Sequence, residues 1–195
     1  MRKERLEAFS DGVLAIIITI MILGLKIPEG DKLDDLKPVL PGFLSYVLSF
    51  IYIGIYWNNH HHMMHTVKHV TGDILWANLH LLFWLSLVPF ITGWVGENHF
   101  KPVPMALYGI VLFMAAVAYY ILQTRIIINH GPDSILSKAI GNDLKGKMSP
   151  ILYVLAIFST FISGWIAGGI YLLVALIWLV PDKRIEIILK NDNPH

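Results

Sequence analysis

Histidine is the residue type with the most chemical capacity in this sequence, and it is concentrated in one segment. Residues 58–65 read Asn-Asn-His-His-His-Met-Met-His, and His69 follows four residues later. In a helix, His61, His65 and His69 would recur every four residues and share one face. Imidazoles at this spacing can bind zinc or copper, and they also titrate between about pH 5 and 8. Three interpretations stay open: solvated histidines at a helix end, a pH-sensitive element, or a metal site.

Other chemistry is sparsely represented. Met63 and Met64 could add soft metal ligands, but the nearest carboxylate is Asp73, too far along the chain to complete a catalytic zinc site. The sequence contains no P-loop, dinucleotide-binding fingerprint, nucleophile elbow or His-Glu-x-x-His motif. It has no cysteine, which excludes disulfides and thiolate metal sites, and its net charge of +1 does not favour nucleic acid as a partner. We therefore expect neither an enzyme nor a cofactor.

The composition predicts an all-α integral membrane protein. The 195 residues are 55% hydrophobic and 15% charged, whereas a soluble domain has about 25% charged residues. A membrane-spanning helix needs about 20 largely apolar residues. We predict six spans, at approximately residues 6–25, 41–57, 74–95, 103–128, 150–165 and 167–180, of which the last two are shorter than this length. We separate the last two near Gly164, Gly168 and Gly169, because one helix over residues 151–180 would be about 45 Å long in a hydrocarbon core of about 30 Å.

The distribution of basic residues supports six spans with a cytoplasmic N-terminus. Of the 15 Lys and Arg residues, four fall in outer loops and the other eleven fall in cytoplasmic segments. This bias follows the positive-inside rule, and a five-span arrangement would weaken it to 8 against 7. We predict that residues 1–195 form a single six-helix domain in the cell (plasma) membrane, in contact with the lipid bilayer, with both termini cytoplasmic.

The first span begins with charged residues and continues as an apolar run. Thr19 is the only polar side chain between Gly12 and Leu25. Ile16, Ile20 and Leu23 lie at i, i+4 and i+7 and form one stripe. Such a stripe can face lipid, pack in a core or line a pore.

Asp11 and Arg5 lie near the start of this span, below the stripe. At 100° per residue, Asp11 lies about 140° around the helix from Ile16, and charges inside a span are usually paired. We therefore expect Asp11 to point into the helix bundle. Arg5 lies within about 20° of the stripe, where it could flank a cytoplasmic mouth or pair with a neighbouring helix.

The first span begins with the pattern Arg5-x-x-x-Phe9-Ser10-Asp11-Gly12. An isoleucine-rich run follows, with a threonine eight residues after the aspartate. This combination resembles the signature of the transmembrane-protein-175 family. This family comprises the endolysosomal potassium channels of animals and their prokaryotic relatives. Trp57-Asn-Asn-His60 and the stretch from Asn78 to Pro89-Phe90 are also similar to that family.

The resemblance implies a potassium-permeable channel. A single six-helix chain is similar to the prokaryotic form, a homotetramer whose first helices surround a central pore with an apolar constriction. By position, Ile16 would form the narrowest ring, Ile20 and Leu23 would follow toward the outside, and Thr19 would lie beside it. The signature residues would form a structural network; these are Arg5, Phe9, Ser10, Asp11, Trp57 and His60.

The implied pore differs from a carbonyl selectivity filter. The chain contains no Thr-Val-Gly-Tyr-Gly-like loop, and an isoleucine ring offers no ligands, so it would act as a steric and dewetting barrier, a hydrophobic gate. Ala15 stands where the first repeat of the animal form has a serine, which implies weak discrimination between potassium and sodium. The alternative function is a metal or cation carrier that uses the histidine cluster, with His61, His65 and His69 as its ligands.

Overall fold

The computed structural model describes residues 2–140 and 144–179. Every regular element in these ranges is a helix. The elements are α1 (Lys3–Leu23), a 3₁₀ helix (Leu33–Val39), α2 (Leu40–His65), α3 (Gly72–Ser86), α4 (Val88–Glu97), α5 (Pro102–His130), α6 (Ile135–Ile140), α7 (Leu144–Ser159) and α8 (Gly164–Leu179). The C-terminal basic residues that the sequence places in the cytoplasm lie outside the described residues, as do Val180 and Pro181; they are Lys183, Arg184 and Lys190.

Four helical segments of the described chain are long and apolar enough to cross a membrane. They are Lys3–Leu23, Leu33–His65, Gly72–Glu97 and Pro102–His130. The remaining two predicted spans correspond to α7 and α8, which have 16 residues each. A helix of that length rises about 24 Å and is shorter than a hydrocarbon core of about 30 Å. Because four other segments are long and apolar enough to cross a membrane, the chain is a multi-pass helical membrane protein.

The third predicted span consists of two helices. α3 ends at Ser86 and α4 begins at Val88. Pro89 has no N–H to donate to the carbonyl of Leu85, and its ring conflicts with that carbonyl. The helix is therefore interrupted at Leu87 and restarts with the proline in its first turn.

The chain also breaks between α7 and α8, as expected, but not at the predicted glycines. The turn comprises residues 160–163, and the Ser163 amide donates to the Ser159 carbonyl at 2.9 Å. Gly164 begins α8, whereas Gly168 and Gly169 lie within it. A side chain at Gly164 would overlap the carbonyl of Phe100, so this glycine allows α8 to start against the α4–α5 connection.

α5 lies at the centre of the helix bundle and α1 lies at its side. α5 packs against α3, α4, α7 and α8, and its inward face includes the fully buried Ala115, Ala118 and Leu122. α1 packs against α2, α3 and α4. One face of α1 is consequently covered by the other described helices of the chain, and the opposite face is not.

Candidate ion pathway

The two faces of α1 have different partners. Its covered face consists of Leu6, Ser10, Leu14, Ile17 and Met21. The predicted stripe lies on the uncovered face, where Ile16 is 60%, Ile20 is 51% and Leu23 is 78% exposed within one subunit. The structure thus places the stripe outside the subunit core, where it is available to lipid or to a second copy of the chain.

Small residues accompany the stripe on the uncovered face. Ala8, Gly12, Ala15 and Thr19 are all exposed there, and a Cβ added at Gly12 would meet nothing within 4 Å. The Thr19 hydroxyl donates to the carbonyl of Ala15 at 2.9 Å, so it is bonded within its own helix. Small residues on a membrane helix permit close approach of another helix.

A buried hydrogen-bond chain joins α1, α2 and α3. Ser10 Oγ donates to the carbonyl of Leu6 at 2.9 Å and accepts from Asn78 Nδ2 at 3.0 Å. The other end of the amide, Asn78 Oδ1, lies 2.7 Å from His60 Nε2. Because Oδ1 can only accept, His60 must carry a proton on Nε2. Polar groups in an apolar surrounding need such partners, since an unsatisfied buried donor costs about 1–3 kcal/mol.

Asp11 makes a second contact between α1 and α2, and its orientation corrects the expectation from the helical wheel. Asp11 is exposed in the subunit and accepts a 3.0 Å hydrogen bond from Trp57 Nε1, which is exposed as well. Ser10, not Asp11, points into the bundle. A helical wheel of α1 alone could not show that Trp57 of α2 lies beside Asp11.

The structure therefore brings four of the six signature residues into two adjacent contacts. Ser10 and His60 meet through Asn78, and Asp11 meets Trp57. Arg5 and Phe9 lie on the exposed side of α1, and Arg5 makes no salt bridge with any described residue. Asn78 is the connecting residue; an amide inside an apolar span is a signal for an interhelical bond, but it does not indicate the partners.

The histidine cluster is divided by the end of α2, so the expectation of one shared face is wrong for His69. α2 ends at His65, and Thr66 caps it by donating to the carbonyl of Met63. His61 and His65 remain together on the exposed side, with 3.1 Å between their Nε2 atoms. His69 instead stacks on His130 of α5, with ring centroids 4.4 Å apart.

The remaining members of the cluster face elsewhere. Met63 and Met64 are fully buried, so their thioethers are not available beside the imidazoles. His130 accepts the amide of Lys68 at 3.0 Å and thereby ties the α2–α3 connection to the end of α5. Among the described residues, no group of three or more His, Cys, Asp or Glu side chains is arranged to hold a metal ion.

A second polar network connects α2, α4 and α5 near the C-terminal end of α1. The sequence did not reveal it. Thr92 Oγ1 donates to the carbonyl of Val88 at 2.6 Å, and it lies 2.7 Å from Ser49 Oγ and 4.0 Å from Met21 Sδ. Ser49 in turn contacts the Tyr108 hydroxyl at 3.0 Å. The network links α2, α4 and α5 beside the covered face of α1. Scattered hydroxyl residues in apolar spans were its only signal.

The fold and this arrangement define a multi-pass helical membrane protein whose first helix has one anchored face and one free apolar face. Comparisons with known proteins identify its family. The model of the family described as "Endosomal/lysosomal potassium channel TMEM175" matches residues 5–89. This range contains the signature, both α1 contacts and the histidine cluster.

Relatives extend the similarity to nearly the whole chain. A potassium channel of Chryseobacterium sp. (strain P1-3) is 60% identical over 192 residues, covering 98% of this chain and 100% of that protein. A potassium channel of Streptomyces collinus is 37% identical over 126 residues, covering 60% of this chain and 61% of that one. The crystal structure of a lysosomal potassium-selective channel TMEM175 homolog from Chamaesiphon minutus aligns with a TM-score of 0.75 and 26% identity, covering 92% of this chain and 97% of that chain. The chain belongs to the TMEM175 family, and the resemblance drawn from the signature motif is confirmed.

Proposed function

We propose that this chain is a potassium-permeable channel in which four copies place α1 around a central pore, with Ile16 at the constriction. Family membership supports ion conduction, since relatives that match 98% and 60% of this chain are named potassium channels. The observation that supports the pore position is the free apolar face of α1, which no described helix of the same chain covers. Nothing in this arrangement indicates an enzyme.

The shape of the free face suits a helix that meets its own copies. Ala8, Gly12 and Ala15 leave room beside the stripe, so neighbouring copies of α1 could approach one another closely. Ile16, Ile20 and Leu23 would then project toward the symmetry axis on successive turns. An isoleucine ring contributes no oxygen ligands, so ions would pass only when the ring is wide enough to hold water.

The contacts on the covered face would set the direction of the stripe. Ser10 is fixed to Asn78, and Ile16 follows six residues later, about 9 Å farther along the helix axis. The Asp11–Trp57 bond restrains the same turn from the side of α2. Together these bonds define the rotation of α1 and therefore the direction in which Ile16 points.

For the membrane arrangement, we propose six spans with both termini in the cytoplasm of the cell. α7 and α8 pack against each other and are joined by a turn of residues 160–163. This geometry suits an antiparallel pair in which α7 crosses the membrane and α8 returns to the same side. Four longer spans and this pair would return the chain to its starting side. The positive-inside bias of the basic residues agrees with this orientation.

Substitution of the constriction residue tests the proposal. In vesicles reconstituted with the full-length protein, Ile16→Asn should raise potassium flux severalfold, because a polar ring removes the dewetting barrier. Ile22→Asn is the matched control, since Ile22 is 49% exposed on α1 but lies about 120° around the helix from Ile16. Unchanged flux in Ile16→Asn would contradict the proposal. Saturable flux that is lost when His61, His65 and His69 become alanine would favour a carrier instead.

A mass measurement of the detergent-solubilised complex tests the stoichiometry. Four copies of the 22.1 kDa chain should be found at protein concentrations where the reconstituted protein is active. A stable monomer or dimer that conducts potassium would exclude a pore on a four-fold axis.

A further inference from the structure

We propose that His61 and His65 form a binding site for a divalent transition-metal ion of the nickel, copper and zinc class. The two imidazoles lie one turn apart at the end of α2, and both are exposed. Their Nε2 atoms are 3.1 Å apart, and the ring planes meet at 83°. The proposal concerns binding alone and does not depend on ion conduction.

The distance between the nitrogens fits two bonds to one metal ion. Metal–imidazole bonds are about 2.0–2.1 Å long. Two such bonds from nitrogens 3.1 Å apart enclose about 98° at the metal. That angle lies between the right angle of square or octahedral complexes and the tetrahedral angle of zinc. A metal could therefore replace the proton that the two nitrogens now share, without movement of the backbone.

The site would have two protein ligands, and water would complete the coordination. No group of three or more potential ligand residues is present among the described residues, and both side chains are open to solvent. Such a site favours metals with high intrinsic affinity for imidazole, in the order that places copper and nickel above manganese. Magnesium and calcium, which prefer oxygen ligands, should not bind.

Neighbouring groups hold the imidazoles without competing for the metal. Trp57 stacks on His61 with 6.0 Å between ring centroids and an angle of 21°, and Asp11 fixes Trp57 through its indole N–H. The charges nearest His65 from α1 are Lys3 and Glu7, which form an ion pair at 3.9 Å. Their opposite charges largely cancel, so a cation at the pair meets no strong repulsion.

The other histidines of the segment are engaged or turned away. His60 is buried and bonded to Asn78. His69 and His130 stack, and His130 uses Nε2 to accept a backbone amide. His62 is half-buried on the same helix and touches His61 edge to face, with 5.8 Å between ring centroids. It is the same residue type in the same turn, which makes it the matched control.

Nickel titration of the tag-free, full-length protein in detergent tests the site. Isothermal titration calorimetry should show one Ni²⁺ per chain, with affinity reduced at least tenfold by His61→Ala and by His65→Ala. His62→Ala should keep the wild-type affinity within twofold. Circular dichroism of each variant establishes that its helices are intact; both ligand side chains are exposed, so folding should be retained.

A spectroscopic measurement on the wild-type protein tests the proposal even if a variant does not fold. Pulsed electron paramagnetic resonance of Cu²⁺ bound to the wild-type protein should show two coordinated imidazoles. The proposal is overturned if the spectra show one imidazole or none, or if His62→Ala weakens nickel binding as much as His61→Ala does. It is also overturned if neither His61→Ala nor His65→Ala changes the affinity.

Discussion

Asn78 of α3 donates a 3.0 Å hydrogen bond to Ser10 of α1, and this bond is buried where the signature motif meets the bundle. The same amide accepts from His60. One side chain thus satisfies two polar groups that reach it from two other helices. It fixes the height and rotation of α1 within its own subunit.

Removal of this amide should destabilise the subunit. Asn78→Leu keeps the branched shape of the side chain but leaves the His60 N–H without an acceptor, at a cost of about 1–3 kcal/mol. Thermal unfolding in detergent should show a clearly lowered midpoint. Asn98→Leu is the control, because the side chain of the half-buried Asn98, which directly follows α4, bonds to the nearby Trp94 carbonyl and not to another helix. Equal midpoints for the two variants would show that the chain of bonds adds no stability.

Two glycines of α4 should respond in opposite ways to the same substitution. A Cβ at Gly96 would lie 2.6 Å from the Cα of Gly42, whereas a Cβ at Gly93 would meet nothing within 4 Å. Gly96→Ala should therefore separate α2 from α4 and cost about 1–3 kcal/mol. Gly93→Ala should be neutral or stabilise by up to about 1 kcal/mol, because alanine favours helix.

The comparison of these two glycine variants needs only unfolding midpoints measured side by side. Loss of stability in both variants would indicate that α4 needs the backbone flexibility of glycine at both positions. Loss in neither would show that the close approach of α2 and α4 is not tight in solution.

The absence of native cysteine makes the free face of α1 directly accessible to labelling. A positively charged thiol reagent should reduce the potassium flux of Ile20→Cys more than twofold, because a water-filled pathway lets the thiolate form and react. Ile22→Cys should be unaffected, since Ile22 lies about 200° around the helix from Ile20 and would face lipid or a neighbouring helix. Flux in reconstituted vesicles before and after labelling gives the answer. Inhibition at Ile22 without inhibition at Ile20 would place the pathway elsewhere.

The sequence was sufficient for the helical class and for the family, because both depend on local patterns. Apolar length predicts spans, and the motif around Ser10 and Asp11 lies within one helix. The interruption at Leu87 could also have been predicted, since Pro89 was visible inside the third span and proline cannot continue a helix without a break.

Local sequence patterns could not predict partners that are distant in the sequence, and only the family resemblance linked the α1 signature to Trp57 and His60. Asn78 and Ser10 are 68 positions apart, and no local pattern indicates which helix α3 will touch. The direction of Asp11 failed for the same reason, because it depends on the position of Trp57 in α2. The error at His69 had a local cause. α2 ends at His65 and Thr66 caps it, so the four-residue spacing from His65 to His69 no longer places both residues on one helical face.

The hydrogen bonds from His60 through Asn78 to Ser10 run in a single direction, each group donating to the next and the last donating to the carbonyl of Leu6. The imidazole proton on Nε2 is therefore fixed by the amide, and only Nδ1 is open to a second proton. A second proton on the imidazole would add a positive charge to His60, but every hydrogen bond in the series would keep its donor and its acceptor. The attachment of α1 thus keeps the same donors and acceptors in either protonation state of His60.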